Sequence, residues 1–371
     1  MTLIDNTEVT AEEIAKEGLD ALDSKYQKTI GFFAWDYFVA IGQILSTLWK
    51  RITYVANCLV DLSNMDYDDL VNFVFQTSGI VAKTATHSSG SLTLTNGSGT
   101  VSVGDIFETP DGLQFRAIET KEIVNGDKFE IECLTAGIIG NVPQNAITVI
   151  PTTIQGLVSV TNENAFTNGY EKEAKSDLLE RYYEKLRNPV TSGNVYHYVQ
   201  WAKEVTGVGK AICKPLWNGD NTVKVVILDS NRNIPSSDLI KAVQDYIDPG
   251  AKGLGLGEAP VGAYCTVAGA TAKNLNVAAQ IKLKSGVELK EVVENIRNAI
   301  ETYLKTVAFD KSVTYISFAK IGSLIMSADG VYDYDSDSLL LNNDTDNILL
   351  VDNNEMTEIA VLNELNIEVA A

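Results

Sequence analysis

The sequence predicts a multidomain α+β chain. In order it reads as an N-terminal helical bundle or coiled-coil segment, a small antiparallel β domain, two α/β modules of split βαβ character, and C-terminal β hairpins. Three patterns carry that expectation. Apolar residues recur with a 3-4 spacing through 38–62, alternate with period two through 88–153, and from 189 onward alternate between helix-like and strand-like runs. The expected segments are 1–82 (helical core bundle), 83–160 (antiparallel β domain), 161–206 (helical connector), 207–270 (first α/β module) and 271–371 (second module with acidic β hairpins).

Thr10 followed by Glu13 is a capping box, which predicts a first helix running to about Thr29. The next helix has the clearest period in the chain. Phe38, Ile41, Leu45, Leu48, Ile52, Val55, Leu59 and Leu62 form an unbroken seam, and no proline interrupts residues 31–64. At ~1.5 Å per residue this seam is about 37 Å long. Beside it stand Tyr37, Ile44, Trp49, Ala56 and Cys58, where a two-stranded coiled coil usually carries charge. The apolar face is therefore wide, as in a bundle of three or more helices. It could pair within the chain with helices 10–29 and 67–78, or enter a bundle shared between chains. The short acidic first helix offers little to cover Ile44 and Trp49, which favours the shared bundle. Phe38, Ile41, Ile44, Leu45, Leu48, Trp49, Ile52, Val55, Leu59 and Leu62 are accordingly the candidate interface residues.

Asp66 to Ser78 predicts a short helix stopped by Gly79. The β domain follows from alternation at Leu92-Leu94, Val101-Val103, Phe115 with Ala117, Phe129-Ile131 and Ile147-Val149. Asn96-Gly97, Asp111-Gly112 and Asn125-Gly126 read as its hairpin turns. Residues 171–188 predict a charged helix with Leu178, Leu179, Tyr182 and Leu186 inward.

Pro189 and Gly193 then punctuate the entry to a helix with Val195, Val199, Ala202 and Val205 inward, stopped by Gly207 and Gly209. A strand over 210–217, a turn at Asn218-Gly219-Asp220, a strand over 223–228, a helix opened by Pro235 to Ser237 and an end at Pro249-Gly250 complete the first module. In the second module, alternation through 275–283 precedes a helix with Leu289, Val292, Val293, Ile296, Ile300, Tyr303 and Leu304 on one face, and a short helix over 317–327. The echo of SLLLNNDT in NILLVDNN reads as two hairpin strands with Asn/Asp turns.

Composition excludes several classes. At 371 residues with a formal net charge of -20, the chain lacks the basic surface that nucleic acid or an anionic membrane requires. Its start lacks the order of a signal peptide, and residues 37–49 fall short of the ~20 apolar residues that span a bilayer. Cys58, Cys133, Cys213 and Cys265 are far apart without CxxC spacing, so buried reduced thiols are expected.

Catalytic patterns are equally sparse. His87 and His197 are the only histidines, neither sits in a GxSxG-like context, and they suggest no metal site. Gly207-Val208-Gly209-Lys210 fails as a phosphate loop because Glu204 stands where the first glycine belongs and Ala211 replaces Ser or Thr. Gly253, Gly255 and Gly257 follow a helix and precede a strand, the reverse of a dinucleotide site. Asp333, Asp335 and Asp337 open like a calcium loop, but Ser338 and Asp344 replace the required Gly and Glu, so a solvated acidic turn is expected. No cofactor is expected, and no enzymatic activity.

The central stretch resembles the baseplate J-like family of contractile phage tails and related injection particles. The resemblance rests on Arg187-Asn188-Pro189, Thr191 to Asn194, Trp201-Ala202, Gly207-Val208-Gly209, Pro215 to Gly219, Val223 to Asp229 and Tyr246 to Ala251. Upstream it includes Asp111 to Arg116, Ala136-Gly137, Gly140 to Pro143, Gly156 to Asn162 and Gly169-Tyr170, covering roughly residues 65–290. The resemblance implies a structural wedge subunit: two copies per wedge with a smaller tail wedge protein, six wedges around a hub, and links to sheath-initiator proteins. It places the chain in the tail baseplate of a virion or a phage-tail-like bacteriocin, assembled in the host cytoplasm. Two other readings remain open: a carbohydrate- or receptor-binding tail module using the β domain, and a cell-wall hydrolase.

Overall fold

Local capping and turn chemistry set the helix limits in the computed structural model, which describes residues 9–188, 190–310 and 312–370. The chain divides into two units, Met1–Ala82 with Ala174–Leu186, and Lys83–Glu173 with Arg187–Ala371.

The first unit is helical. Helix α1 (Ala11–Ala21) carries the expected Thr10–Glu13 capping box, and the Thr10 backbone N–H holds the Glu13 carboxyl below the usual carboxylate range. It ends well before Thr29 because the Asp23 carboxylate accepts the Lys25 N–H and turns the chain. Helix α2 (Phe33–Val60) is one 28-residue rod. It stops at Asp61, whose side chain accepts the Ser63 N–H of a single 3₁₀ turn. Helix α3 (Tyr67–Ser78) ends at Gly79, left-handed as expected at φ 73°. Helix α4 (Lys175–Arg187) returns to this unit because Leu178, Leu179 and Tyr182 pack with Leu70 and Val74. Leu186, expected inward, is 59% exposed.

The second unit begins with a six-stranded antiparallel sheet of β1 (His87–Val101), β2 (Ile106–Glu108), β3 (Gln114–Ala117), β4 (Lys121–Val124), β5 (Lys128–Ala136) and β6 (Leu157–Thr161). Phe107, Phe115 and Phe129 fill its core. Asp111-Gly112 turns β2 into β3 as expected. The other two turn pairs do not reverse the chain. Asn96-Gly97 lies inside β1, where Gly97 (φ 120°) lets the strand bulge past the Gly156 carbonyl. Asn125-Gly126 kinks the chain between β4 and β5, which both run antiparallel to β1 and hence in one direction. Two asparagines peg the loops around this sheet. Asn162 accepts from the Ile147 N–H and donates to the Pro143 and Asn164 carbonyls, and Asn141 exchanges two hydrogen bonds with Gly169.

The first α/β module follows its sequence pattern closely: α5 (Val195–Glu204), β7 (Val208–Pro215), β8 (Thr222–Asp229), α6 (Ser237–Ile247) and β9 (Tyr264–Gly269). Strand β8 pairs antiparallel with β7 and parallel with β9, with α6 as crossover. Pro189, expected to mark the entry to α5, lies outside the described residues. The buried residues of α5 are Tyr198, Trp201, Ala202 and Lys203; Val195, expected inward, is exposed.

In the second module β10 (Thr271–Leu283) is central, between antiparallel β12 (Val331–Leu341) and parallel β14 (Glu358–Val369). Helix α7 (Leu289–Val307) buries Val292, Ile296, Ile300 and Leu304, and α8 (Phe318–Ser327) lies where expected. The expected C-terminal hairpin is absent: the SLLL segment belongs to β12 and pairs with β10, while β13 (Ile348–Leu349) pairs with β11 (Tyr315–Ile316). Nonlocal pairing wins because β10 offers both edges to strands with apolar inward faces.

Candidate assembly interface

Helix α2 has two unlike faces, and α1 covers only one of them. On that face Gly42 and Ser46 bring α2 against the backbone of α1 and of Val9 ahead of it, and the Phe38 ring lies over Gly18. A Cβ on Gly42 would lie 2.3 Å from the Ala11 carbonyl oxygen, and one on Gly18 of α1 would lie 2.3 Å from the Phe38 ring. The Ser46 hydroxyl donates to the Val9 carbonyl at 3.2 Å. Farther along, Asp66 N–H donates to the Tyr54 hydroxyl, which donates to Asp69, so the end of α2 is tied to the start of α3.

The other face is apolar and open. Leu45, Leu48, Trp49, Ile52, Val55 and Leu59 are all exposed, as is Ile44; Ile44 is 64%, Ile52 60% and Leu59 77% accessible. At about 100° per residue these side chains span roughly 140° of the helix circumference. The predicted interface residues thus divide. Phe38 is half-buried under Gly18, Ile41 is half-buried, and Leu62 packs with the cluster around Leu70, while the seven between them face outward. A stripe of this length on one helix exceeds the scattered apolar exposure of ordinary surfaces. The seven outward residues are all apolar and carry no titratable side chain. Sequence reasoning missed the Gly18, Gly42 and Ser46 contact, although small residues four apart on α2 were its signal.

The patterns that resemble catalytic motifs serve packing. His197 stacks on Trp201 at 3.8 Å and accepts the Gly193 N–H on Nδ1; burial lowers its pKa. His87 Nδ1 donates to the Cys133 carbonyl. Gly207 takes φ 96° beneath the Tyr170 ring, and a Cβ on Gly209 would lie 2.3 Å from the Asp229 carbonyl oxygen. A Cβ on Gly257 would lie 2.5 Å from the Tyr246 carbonyl oxygen, so the glycine-rich loop is a tight connection. The Asp248 carboxylate, 2% exposed, closes that loop by accepting the Gly253 and Cys265 N–H groups. Its Asp-Pro-Gly context was the only sequence signal for this role. Cys58, Cys133 and Cys265 are buried thiols, while Cys213, also expected to be buried, is half-buried. Asp333, Asp335 and Asp337 lie on β12, and among the described residues no group of three or more His, Cys, Asp or Glu forms a potential metal site. No described helix is long and apolar enough to cross a membrane.

Comparison with known proteins resolves the second unit domain by domain. The baseplate J-like protein barrel domain matches residues 90–169, the central domain 190–269 and the C-terminal domain 275–368. Baseplate protein gp47 of Escherichia phage Mu is 32% identical over 261 residues, covering 68% of this chain and 71% of that protein. The chain belongs to the baseplate J-like family. The three matches coincide with the β1–β6 sheet, the α5–β9 module and the β10–β14 module; α1, α2 and α3 precede them. Two Bacillus subtilis (strain 168) proteins are each 35% identical: YqbT over 64% of this chain and phage-like element PBSX protein XkdT over 59%. The matches span 66% and 62% of those two relatives, a little under two thirds of each. A chain of the six-fold symmetrised cryo-EM baseplate of the anti-feeding prophage covers 94% of this baseplate J-like chain and 97% of its own length, with 8% identity and a TM-score of 0.34.

Proposed function

We propose that this baseplate J-like chain is a structural wedge subunit of a contractile tail, in a phage or a phage-tail-like particle. The observation that carries the proposal is the uncovered apolar face of α2 in a member of this family. A chain acting alone gains nothing from leaving that face in water; covering it with helices of neighbouring subunits removes the unfavourable hydration. The occupants are a second copy of the chain and a smaller tail wedge protein, forming a bundle of three or more helices. Wedges assembled this way form a ring around a hub and connect it to the sheath. The modules of the second unit, whose motif-like residues all serve packing, act as contact surfaces, and no catalytic step is assigned to them.

The test is composition and position within the native particle. Labelled antibody against the β domain should decorate the baseplate ring in electron micrographs, and mass spectrometry should give twice as many copies of this chain as of its small wedge partner. Label confined to fibres would favour the receptor-binding reading instead, and absence from purified particles would refute the proposal.

A further inference from the structure

The two α/β modules meet on a face that is unusual for a sheet. Lys210, Ile212 and Lys214 of β7 stand opposite Leu228, Val226 and Lys224 of β8, with Lys214 and Lys224 directly paired across the strands. Two ammonium groups facing each other on one antiparallel pair repel, so this face is unfavourable unless acceptors cover it. The second module supplies them. The turn 352–357 between β13 and β14 lies over the lysine pair. Lys214 Nζ donates to Asp352 Oδ1 at 2.5 Å and to the Asn353 carbonyl; Lys224 Nζ donates to the Glu355 carbonyl at 2.6 Å. Lys224 is only 9% exposed, sits 4.8 Å from the Trp217 ring centre, and burial holds its ammonium below the usual lysine range. At the other end of the face, Lys210 donates to the Ala308 carbonyl.

The rest of the junction is slight. One residue, Ala270, links β9 to β10. Each module has a separate apolar core, and between them Val226, Leu228, Ala270, Ala308 and Ile359 make a cluster distinct from both, with Ile212, Phe309 and Val361 packed against it. The turn is also self-supporting. The Asn353 side chain accepts the Glu355 and Met356 N–H groups, and the Thr357 hydroxyl donates to Asp352. It keeps its internal bonds when lifted off.

We propose that the 352–357 turn is a releasable latch, and that opening it frees the second module to turn as one body about Ala270. The energetics favour local opening. Separation costs an apolar contact, the Lys214–Asp352 ion pair at the margin of the face and a few hydrogen bonds to carbonyls, while two crowded ammonium groups regain water. Neither module core is disturbed. The inference concerns the chain itself and stands whether or not the wedge assignment holds.

Lysine acetylation with an N-hydroxysuccinimide ester tests it on the full chain, read by peptide mass spectrometry beside amide exchange. In the parent protein Lys224 should react at least about tenfold more slowly than the exposed Lys241, reflecting its closed state. Replacing Asp352, Asn353, Asn354 and Glu355 by Gly-Ser-Gly-Ser should raise the Lys224 rate to within about threefold of Lys241, with β10 and α7 amides still protected as in the parent. The milder Asp352→Ala variant should move the Lys214 and Lys224 rates in the same direction. Slow Lys224 in both variants would overturn the latch. So would joint loss of β10 and α7 protection in both, because the turn would then belong to one cooperative core.

Discussion

Replacing Leu48 and Ile52 together by Asp separates an assembly face from a folding core. In the isolated chain these side chains are 47% and 60% exposed, so about half of each is already in water. Fully burying a Leu or Ile side chain contributes about 1.5–3 kcal/mol. Covering those exposed halves in an assembly therefore contributes roughly 1.5–3 kcal/mol for the pair. Two carboxylates placed under that cover add a desolvation cost of at least about 2 kcal/mol. The association constant should fall by about 300-fold or more, since 1.4 kcal/mol is a factor of ten. In the isolated chain the losses are the buried halves and the lower helix propensity of Asp, about 2–3 kcal/mol confined to the first unit. Sedimentation of the chain with its partner subunits, beside urea unfolding of the β domain, reads both quantities. Undiminished complex formation would refute the interface, and loss of the β-domain transition would show that the substitutions act through folding.

Three further outcomes follow from the geometry. Gly42→Val places a side chain against the Ala11 backbone, which cannot yield, so α1 should detach at a cost of about 1–3 kcal/mol and become sensitive to protease while the β domain melts unchanged. Asp248→Ala leaves the buried Gly253 and Cys265 N–H groups without their acceptor and should destabilise the second unit by about 2–4 kcal/mol in urea titration. Asp229 titrates above the usual carboxylate range because it is buried, although the Asn233 and Asn231 N–H groups oppose that. The folded chain thus holds this proton more tightly than the unfolded one. Its contribution to stability is complete at low pH and is lost as pH rises from about 4 through the raised value. Asp229→Asn should flatten that part of the stability–pH curve; an unchanged slope would contradict the assignment.

Much of the fold was legible because local signals and final pairing agree. In the first α/β module, Ser236 caps α6, Pro249-Gly250 end it, and the turn at 218–220 joins strands that are neighbours in space. Where pairing is nonlocal the signals misled. Asn96-Gly97 is a good turn pair, but β1 continues through it because β4, β5 and β6 all need it as a partner. The C-terminal echo suggested a hairpin, yet β10 draws β12 and β14 to opposite edges. On α5 the larger Tyr198 and Trp201 take the core in place of Val195, since aromatic burial removes more area from water. The outward α2 stripe was readable from its spacing, whereas the face holding α1 was not. Close approach there depends on Gly18, Gly42 and Ser46, which a pattern of apolar residues does not record.

Photo-crosslinking within the assembled particle shows whether another subunit covers the α2 stripe. A benzophenone amino acid at position 52, on the open stripe, is compared with one at position 50, on the opposite side of α2. Efficient crosslinks are expected from position 52 to a second copy or to a small partner subunit, and far fewer from position 50. Crosslinks from position 52 confined to its own chain would contradict coverage by another subunit.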